Sequence, residues 1–400
     1  MAPTAGRSSV PPPEPARPAR LRSLNDATAL RLLLAHGALS RVDMVRLTGI
    51  SKPTASQLLA RLEGAGLVRA VGRSTGGPGR SAVLFELDPA SGHAAALDVT
   101  PHRIHAQVAD ITGKIVGEHV LRRPPRTAGS GPANALLALY PALAEARLHR
   151  RRLSSIVIAA TGSYDVVGDR LRYARDLPGW SDERLVTTLQ RATRVPVFIE
   201  NDVNLAAVAE RRVGAAQEIS DFFLFWVGDG IGGALLLDDR LRRGATGGAG
   251  EIAFLQPSGA ETVHRPQRSG AGAMELWAGG AALADLAREN GLHGREAVAL
   301  VTAAVAAGDD GAGFLDGLAR RYAQGLSSVI AVLDPGAIVL AGPVLAAGGE
   351  PLRALIGHHL STMAITSPPF IRGTVSGNPV LVGAMCTALD HARAAVFGAA

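Results

Sequence analysis

The stretch from Ser40 to Arg80, SRVDMVRLTGISKPTASQLLARLEGAGLVRAVGRSTGGPGR, constrains the fold of this chain more than any other. Ser40 three residues ahead of Asp43 has the form of a capping box, in which each side chain satisfies the other's backbone N–H, so a helix starts there. Gly49 is placed to stop it and Ser51 to cap another, with Pro53 in the first turn, where its missing N–H costs little. Ala55, Leu58, Leu59 and Leu62 then repeat as the stripe of a helix buried on one face. Two helices across a short Gly-containing turn make a helix-turn-helix, the second helix being the reader.

The exposed face of that second helix carries Lys52, Thr54, Ser56, Gln57 and Arg61, side chains able to reach phosphates and base edges. The residues after this helix fit a wing. Leu67 to Arg69 reads as a strand, GRSTGGPGR as a tight basic loop and Ala82 to Leu87 as the returning strand. Arg69, Arg73 and Arg80 would lie beside the sugar-phosphate backbone, and Gly76, Gly77 and Gly79 permit close approach. The competing interpretation is a helical hairpin and a surface hairpin in an unrelated enzyme. Capping, stripe, basic face and basic loop all agree with the winged helix instead.

Charge supports a polyanion-binding amino end. The 400 residues hold 41 Lys and Arg against 35 Asp and Glu, a net +6. In the first 80 residues only Glu14, Asp26, Asp43 and Glu63 are acidic, so the basic excess lies there. Residues 1–22, rich in proline, are expected to be a disordered tail, with a helix from Asn25 to Ala35 and a winged helix over 23–88. The single cysteine, Cys386, excludes an internal disulfide. No apolar signal segment is visible near the start. The apolar stretch Ser328 to Ala347 is broken by Asp334-Pro335-Gly336 and Pro343, which argues against a membrane span. A cytoplasmic protein is expected.

From residue 90 onward the pattern is α/β. Ala94–Val99, Ile104–Ala109 and Ile115–Val120 read as a three-strand meander, followed by a helix over Ala133–Arg147. A strand Ile156–Ala160, a helix Glu183–Arg194, a strand Val197–Glu200 and a helix Asn204–Val213 complete a first lobe of about 90–205. A looser repeat over about 220–375 has strands Phe222–Val227, Ala234–Leu237, Arg240–Arg242 and Ile338–Ala341, with helices filling Glu275–Val332. A last helix, about 384–396, rejoins the first lobe. The expected architecture is two α/β lobes with a cleft between them.

Four segments are placed to line that cleft. Glu200-Asn201-Asp202 ends a strand and opens a helix, where open α/β sheets hold ligands. A carboxylate there either accepts from sugar hydroxyls, acts as a general base, or caps the helix through Asp202. Gly228-Asp229-Gly230-Ile231-Gly232-Gly233 reads as a Gly-rich turn, which either brings amides to a phosphate or is a plain hairpin. Gly247 to Ile252 is a second Gly-rich loop presenting Glu251. Asp334-Pro335, a strand and then Ala341-Gly342-Pro343 either wall a nucleotide base or are a plain strand and turn. Arg150-Arg151-Arg152 reads as a solvated cluster complementing a helix end, and His358-His359 as surface.

In order, ENDVNLAA at 200–207, GDGIGGA at 228–234, GGAGEIAF at 247–254 and DPGAIVLAGPV at 334–344 resemble the ROK family of repressors and sugar kinases. With a winged helix in front, the chain is similar to the regulator branch. The resemblance spans roughly residues 25–395. It implies an actin-like two-lobed fold, a sugar held near Asn201, Asp202 and Glu251, and a homodimer or dimer of dimers.

The departures point away from catalysis. Where the kinases carry an Asp-x-Gly-Gly-Thr turn for ATP phosphates, this chain has Asp98-Val99-Thr100-Pro101-His102, whose side chains obstruct that approach. Asp229 stands where the kinases favour threonine, and its carboxylate repels phosphate. The family's structural zinc uses a His where Phe254 stands and a cysteine-rich loop where Glu261 to Gly270 has none, so no metal is expected and His264 cannot make a site alone. No cofactor and no catalytic residue are expected. The expected function is a transcriptional regulator of the repressor type that binds double-stranded operator DNA and senses a sugar without phosphorylating it. The alternatives are an active sugar kinase with an accessory DNA-binding domain, and a DNA-binding protein with a vestigial cleft.

Overall fold

A computed structural model describes residues 18–74, 82–122, 130–172, 174, 177, 179–181, 183–264 and 271–398, with side chains from Leu24 onward. Residues 1–17, Arg80 with Gly76, Gly77 and Gly79, and residues 265–270 lie outside them. The chain forms two compact units: residues 1–93 with 110–114 and 392–400, and residues 94–109 with 115–391.

In the first unit, α1 (Pro18–His36), β1 (Leu39–Ser40), α2 (Arg41–Thr48), α3 (Lys52–Gly64), β2 (Val68–Arg73) and β3 (Val83–Leu87) make three helices and a sheet in the order β1-β3-β2. The helix starts are written in the sequence. Ser40 Oγ accepts from the Asp43 N–H at 3.2 Å, and Asp43 Oδ2 accepts from the Ser40 N–H at 3.1 Å. Gly49 closes α2 at φ 72°, and Ser51 Oγ accepts from the Thr54 N–H. Ala55, Leu58, Leu59 and Leu62 are buried with Leu30, Leu33, Met44 and Phe85. Each such leucine contributes about 1.5–3 kcal/mol on burial. One boundary differs: α1 begins at Pro18, so residues 18–22 are helical and do not belong to a tail.

The second unit holds two sheets of one plan. In the first lobe β4 (His93–Val99), β5 (Arg103–Asp110) and β6 (Ile115–Arg122) form the meander, and β7 (Leu153–Ala160) and β10 (Val197–Asn201) extend it on the other side, in the order β10-β7-β4-β5-β6. Between β7 and β10 lie the small hairpin β8 (Ser163–Asp165) and β9 (Arg170–Arg172), and α5 (Leu185–Thr193); α4 (Ser130–Glu145) precedes β7. After α6 (Asp202–Val213), the second lobe repeats the plan. The strands β11 (Phe222–Val227), β12 (Ile231–Leu237) and β13 (Arg240–Arg242) meander, and β14 (Ile338–Ala341) and β15 (Phe370–Arg372) add in parallel to give β13-β12-β11-β14-β15.

The second lobe is covered by α7 (Ala273–Ala278), α8 (Gly280–Glu289), α9 (Ala297–Ala306), α10 (Asp309–Leu333) and α11 (Pro343–Met363), around a core that includes Phe223, Phe225, Phe314, Tyr322 and Ile356. Three elements escape the sequence patterns. The hairpin β8–β9 and the strand β15 are too short for a period, and α11 is interrupted at Gly349 (φ 53°, ψ −144°) just before Pro351. His359 is not a lone surface residue either, because its Nε2 meets Asp316 Oδ1 at 2.8 Å.

The last helix, α12 (Pro379–Gly398), is long and apolar enough to cross a membrane, yet half of its apolar window is buried inside the protein. The reason is backbone contact: a Cβ on Gly383 would lie 1.8 Å from the Leu205 carbonyl oxygen of α6. Replacing Gly383 with alanine should therefore force α12 off α6 and destabilise the fold by about 1–3 kcal/mol or more. Thermal melting checks this, and an unchanged melting temperature would mean that the two helices do not pack there.

Candidate functional site

Two surfaces carry the expected chemistry. On α3, Lys52, Thr54 and Gln57 are exposed and Ser56 is half-buried. Thr54 Oγ1 lies 2.8 Å from Ser51 Oγ, so its hydroxyl is shared with the helix cap. Arg73 is exposed at the end of β2, where the wing begins.

Two arginines expected to meet DNA are used inside the domain. Arg61 Nε donates to Asp26 Oδ2 at 3.1 Å, and its Nη2 to Oδ1, so the guanidinium is forked onto a buried carboxylate of α1. Asp26 cannot be buried without that partner. Arg69 Nε and Nη2 both donate to Glu86 Oε1 across the β2–β3 ladder, at 2.9 and 2.7 Å.

The second surface is a cleft of about 1110 Å³ in the second unit, lined by Asp98, Thr161, Asn201, Asp202, Glu251 and Glu275, among others. Its floor is the β10–α6 junction. Asn201, not Asp202, caps α6: its Oδ1 accepts from the Asn204 N–H at 3.0 Å, and its Nδ2 donates to the Gly162 carbonyl at 3.1 Å. Asp202 is thereby left to the cleft. Its Oδ2 accepts from the Thr161 hydroxyl at 3.0 Å and its Oδ1 from the Val203 N–H at 2.9 Å.

Glu251 follows Gly250, whose φ of 89° and closeness to the Gly233 carbonyl (2.2 Å to a built Cβ) suit no other residue. Among the described residues the Glu251 carboxylate has no hydrogen-bond partner. Burial pushes its pKa up, and the neighbouring Asp202 carboxylate pushes it further. Asp202 is raised by burial above all, with the Asp98 charge adding to it against the Thr161 and Val203 hydrogen bonds.

The two phosphate-loop positions are filled from within. At the β4–β5 turn, Asp98 accepts from Asn378 Nδ2 at 2.7 Å and from Arg103 Nη2 at 3.5 Å, and burial still raises its pKa. At the second turn, Gly228 to Gly230 alone form the loop. Gly232 and Gly233 belong to β12 and are packing glycines, since built Cβ atoms would meet Val203 Cγ2 at 2.7 Å and Phe223 Cζ at 2.2 Å. The loop's next amide is already taken: the Ile231 N–H donates to Glu275 Oε2 at 2.7 Å. Sequence reasoning missed Glu275, because only the fold brings it 44 positions back to the turn. It also missed Glu210, buried on α6, whose carboxylate accepts from the Ala215, Thr374 and Val375 N–H groups at 2.8, 3.1 and 3.1 Å.

The residues present do not fit a zinc ion at the family's position. Phe254 offers no donor, Cys386 lies on α12, and among the described residues no group of three or more His, Cys, Asp and Glu side chains could hold a metal.

Comparison with known proteins places this geometry. The ROK family model matches residues 94–390. The chain belongs to the ROK family. A MarR family model matches residues 23–81, over the three helices and the start of the wing. A xylose repressor of Caldicellulosiruptor bescii is 26% identical over 238 residues, 58% of this chain and 58% of that protein. The transcriptional dual regulator NagC of Escherichia coli is 24% identical over 238 residues, 59% of this chain and 58% of that protein. The chain thus spans less than two thirds of the length of these relatives. Among solved structures, a ROK family transcriptional regulator, homologous to the E. coli MLC protein, superposes with a TM-score of 0.75 at 18% identity over 95% of this chain and all of that one. A ROK hexokinase from Thermus thermophilus does so at 0.62 and 28% identity, over 74% of this chain and 97% of that one. The ROK fold expected from the four motifs, with the winged helix expected from residues 40–87 in front, is therefore confirmed.

The raised carboxylates have a stability consequence. A carboxyl whose pKa is higher folded than unfolded binds its proton more tightly in the folded state. Its contribution is therefore present below the unfolded pKa, about 4, and is lost as pH rises through the folded value. Glu251→Gln should then raise the melting temperature at pH 7 and leave it nearly unchanged at pH 4. Equal effects at both pH values would show that Glu251 is solvated and not coupled to Asp202.

Proposed function

We propose that this ROK protein is a DNA-binding transcriptional regulator of the repressor type whose cleft binds a sugar or related metabolite without phosphorylating it. The observation that carries the reading is the state of the two phosphate loops, beside a helix-turn-helix with the two strands of a wing. One loop has Pro101 and His102 where backbone must approach phosphate, with Asp98 engaged by Asn378 and Arg103. The other has Asp229 in the turn and Glu275 on the Ile231 amide. Side chains obstruct the first loop, and in the second the Asp229 carboxylate opposes a polyphosphate while Glu275 occupies the Ile231 amide. The similar proteins named as xylose and N-acetylglucosamine repressors support the regulator assignment.

On this reading Lys52, Thr54, Ser56 and Gln57 face the groove and Arg73 and Arg80 the backbone, whereas Arg61 braces α3 through Asp26. Asp202 and Glu251 accept from adjacent sugar hydroxyls. Charge-assisted bonds of that kind contribute about 1.5–3 kcal/mol each. Asn201 acts as the cap that aims Asp202. The protein works in the cytoplasm as a homodimer or dimer of dimers, and sugar-driven movement of the lobes alters the spacing of two reader helices and so DNA affinity.

One observation favours a working kinase: Asp202 stands at a strand end with a raised pKa, as a general base for a sugar hydroxyl would. Incubation with ATP, magnesium and a panel of hexoses separates the two. The expected result is no phosphorylation, with one or more sugars raising the melting temperature. Turnover that vanishes in Asp202→Asn would establish the kinase.

The DNA side is tested by selecting bound duplexes from a random-sequence pool, which should return a two-fold-related site. Gln57→Ala should relax its sequence preference at a cost of about 1–3 kcal/mol. Arg73→Ala should weaken all duplexes alike and flatten the salt dependence. Arg61→Ala should lower stability more than specificity, and loss of specificity at full stability would return Arg61 to the groove.

A further inference from the structure

A second basic surface lies in the second unit, away from the winged helix in sequence. Helix α4 ends at Glu145, so Arg150-Arg151-Arg152 does not end a helix. It forms a single 3-10 turn, capped by His149, that feeds β7. Helix α5 carries Arg191 in its last turn and Arg194 just beyond, and feeds β10. Strands β7 and β10 are parallel neighbours with Ile156 opposite Val197, and the Ile156 N–H donates to the Pro196 carbonyl at 2.9 Å. Their starts therefore share one end of the sheet, and the arginines before them are brought together there. The cleft, with Asn201 at the end of β10, is at the opposite end.

The one acidic residue beside these arginines in sequence, Glu145 at the end of α4, accepts from the Glu118 N–H at 2.8 Å. Residues 146–164 and 184–199 contain no Asp or Glu. Arg147, Arg151, Arg191 and Arg194 are exposed and Arg150 half-buried, and among the described residues none of the five makes an ion pair.

The backbone supplies an independent observation. Arg147 (φ 55°) and Arg194 (φ 61°) occupy the left-handed region at the ends of α4 and α5, where glycine is the favoured residue. The other non-glycine residues found there among the described residues are four aspartates and Arg184. Aspartate tolerates the conformation through its short polar side chain, whereas arginine gains nothing comparable. In a chain with 47 glycines, arginine at both helix ends keeps a side chain at the expense of backbone ease. Complementing the helix dipole accounts for one charge per end, and Arg191 already provides it on α5. It does not account for the 3-10 turn.

We propose that this face is a second, sequence-independent contact for the phosphates of double-stranded DNA, which rests on the DNA-binding reading above. Guanidinium forks match phosphate oxygens. Neither residues 146–156 nor residues 189–196 hold Phe, Tyr or Trp, and the nearby Phe198 ring is already stacked on His391, which favours duplex phosphates over single-stranded bases.

The test uses the full chain with Arg147→Gly, Arg151→Gln and Arg194→Gly combined. Two duplexes carry the selected site: one of about 20 base pairs, two helical turns, and one extended by flanking sequence to about 60 base pairs. Wild type should bind the longer duplex more tightly and with a steeper salt dependence. The variant should lose roughly tenfold on the long duplex, with its salt slope shallower by about 2–3, and match wild type on the short one. Glycine suits both positive-φ sites, so the two glycine variants alone should melt no lower than wild type. A clear drop in their melting temperature would mean that the arginines are structural. Equal affinity and slope for variant and wild type on the long duplex would overturn the proposal, as would unchanged DNA binding with weakened binding to polyglutamate, which assigns the face to an acidic protein. Failure of wild type to hold either duplex would remove the winged-helix reading as well, a result distinct from failure of this contact alone.

Discussion

Helix α6 is the member on which the cleft depends. It packs against β7 and β10 of one sheet and against β11 and β12 of the other. A helix in that position must bury most of its length, and its sequence, DVNLAAVAERRV, is small and apolar there except at Asn204, whose Nδ2 donates to Glu200 Oε1, and at Glu210. A buried carboxylate is tolerated only when its lone pairs are filled. Glu210 fills them with backbone amides from residue 215 and from residues 374 and 375. The same bonds that make Glu210 bearable therefore fix the segment after β15, whose Gly373 and Val375 line the cleft. Glycine is needed around it: built Cβ atoms on Gly214 and Gly373 would approach the Glu210 carboxylate to 2.1 and 2.8 Å.

Whatever is encoded locally is legible in the sequence. The capping box at Ser40, the stop at Gly49 and the stripe from Ala55 to Leu62 lie within one or two helical turns, and each stands in the structure where its residues put it. Most strands of the two five-stranded sheets, though not the short β15, are visible because they are apolar runs between turn residues. The features that escape depend on distant partners. Arg61 and Gln57 look equally available on a helical wheel, and only Asp26, 35 residues earlier, distinguishes them. Asn201 and Asp202 are both able to cap a helix, and the choice is made by the Gly162 carbonyl and the Thr161 hydroxyl on a neighbouring loop. The glycines of 228–233 read as one loop, but strand pairing assigns Gly232 to Trp226 and Gly233 to Phe225, leaving only residues 228–230 to the turn.

The state of the cleft emerges from combining these points. Asp98, Asp202, Glu251 and Glu275 all have carboxyls that burial pushes up, so each is held where its charge is poorly solvated. Such groups detract from stability at neutral pH, and a chain free to drift would replace them with amides or apolar residues. Asp98 and Glu275 have found partners within the protein, Asn378 and the Ile231 amide, and these close the loops that would otherwise receive phosphate. Glu251 has found none among the described residues, and Asp202 has only a hydroxyl and its own helix. The unmet hydrogen-bonding capacity of the cleft is therefore concentrated at Asp202 and Glu251, not at Asp98 and Glu275. A vestigial cleft would be expected to lose both sides alike, since nothing would then separate the cost of one carboxylate from another. Phe254 is a loss on the other side, yet Asp202 and Glu251 keep their unmet capacity, which is the pattern the proposed reading requires.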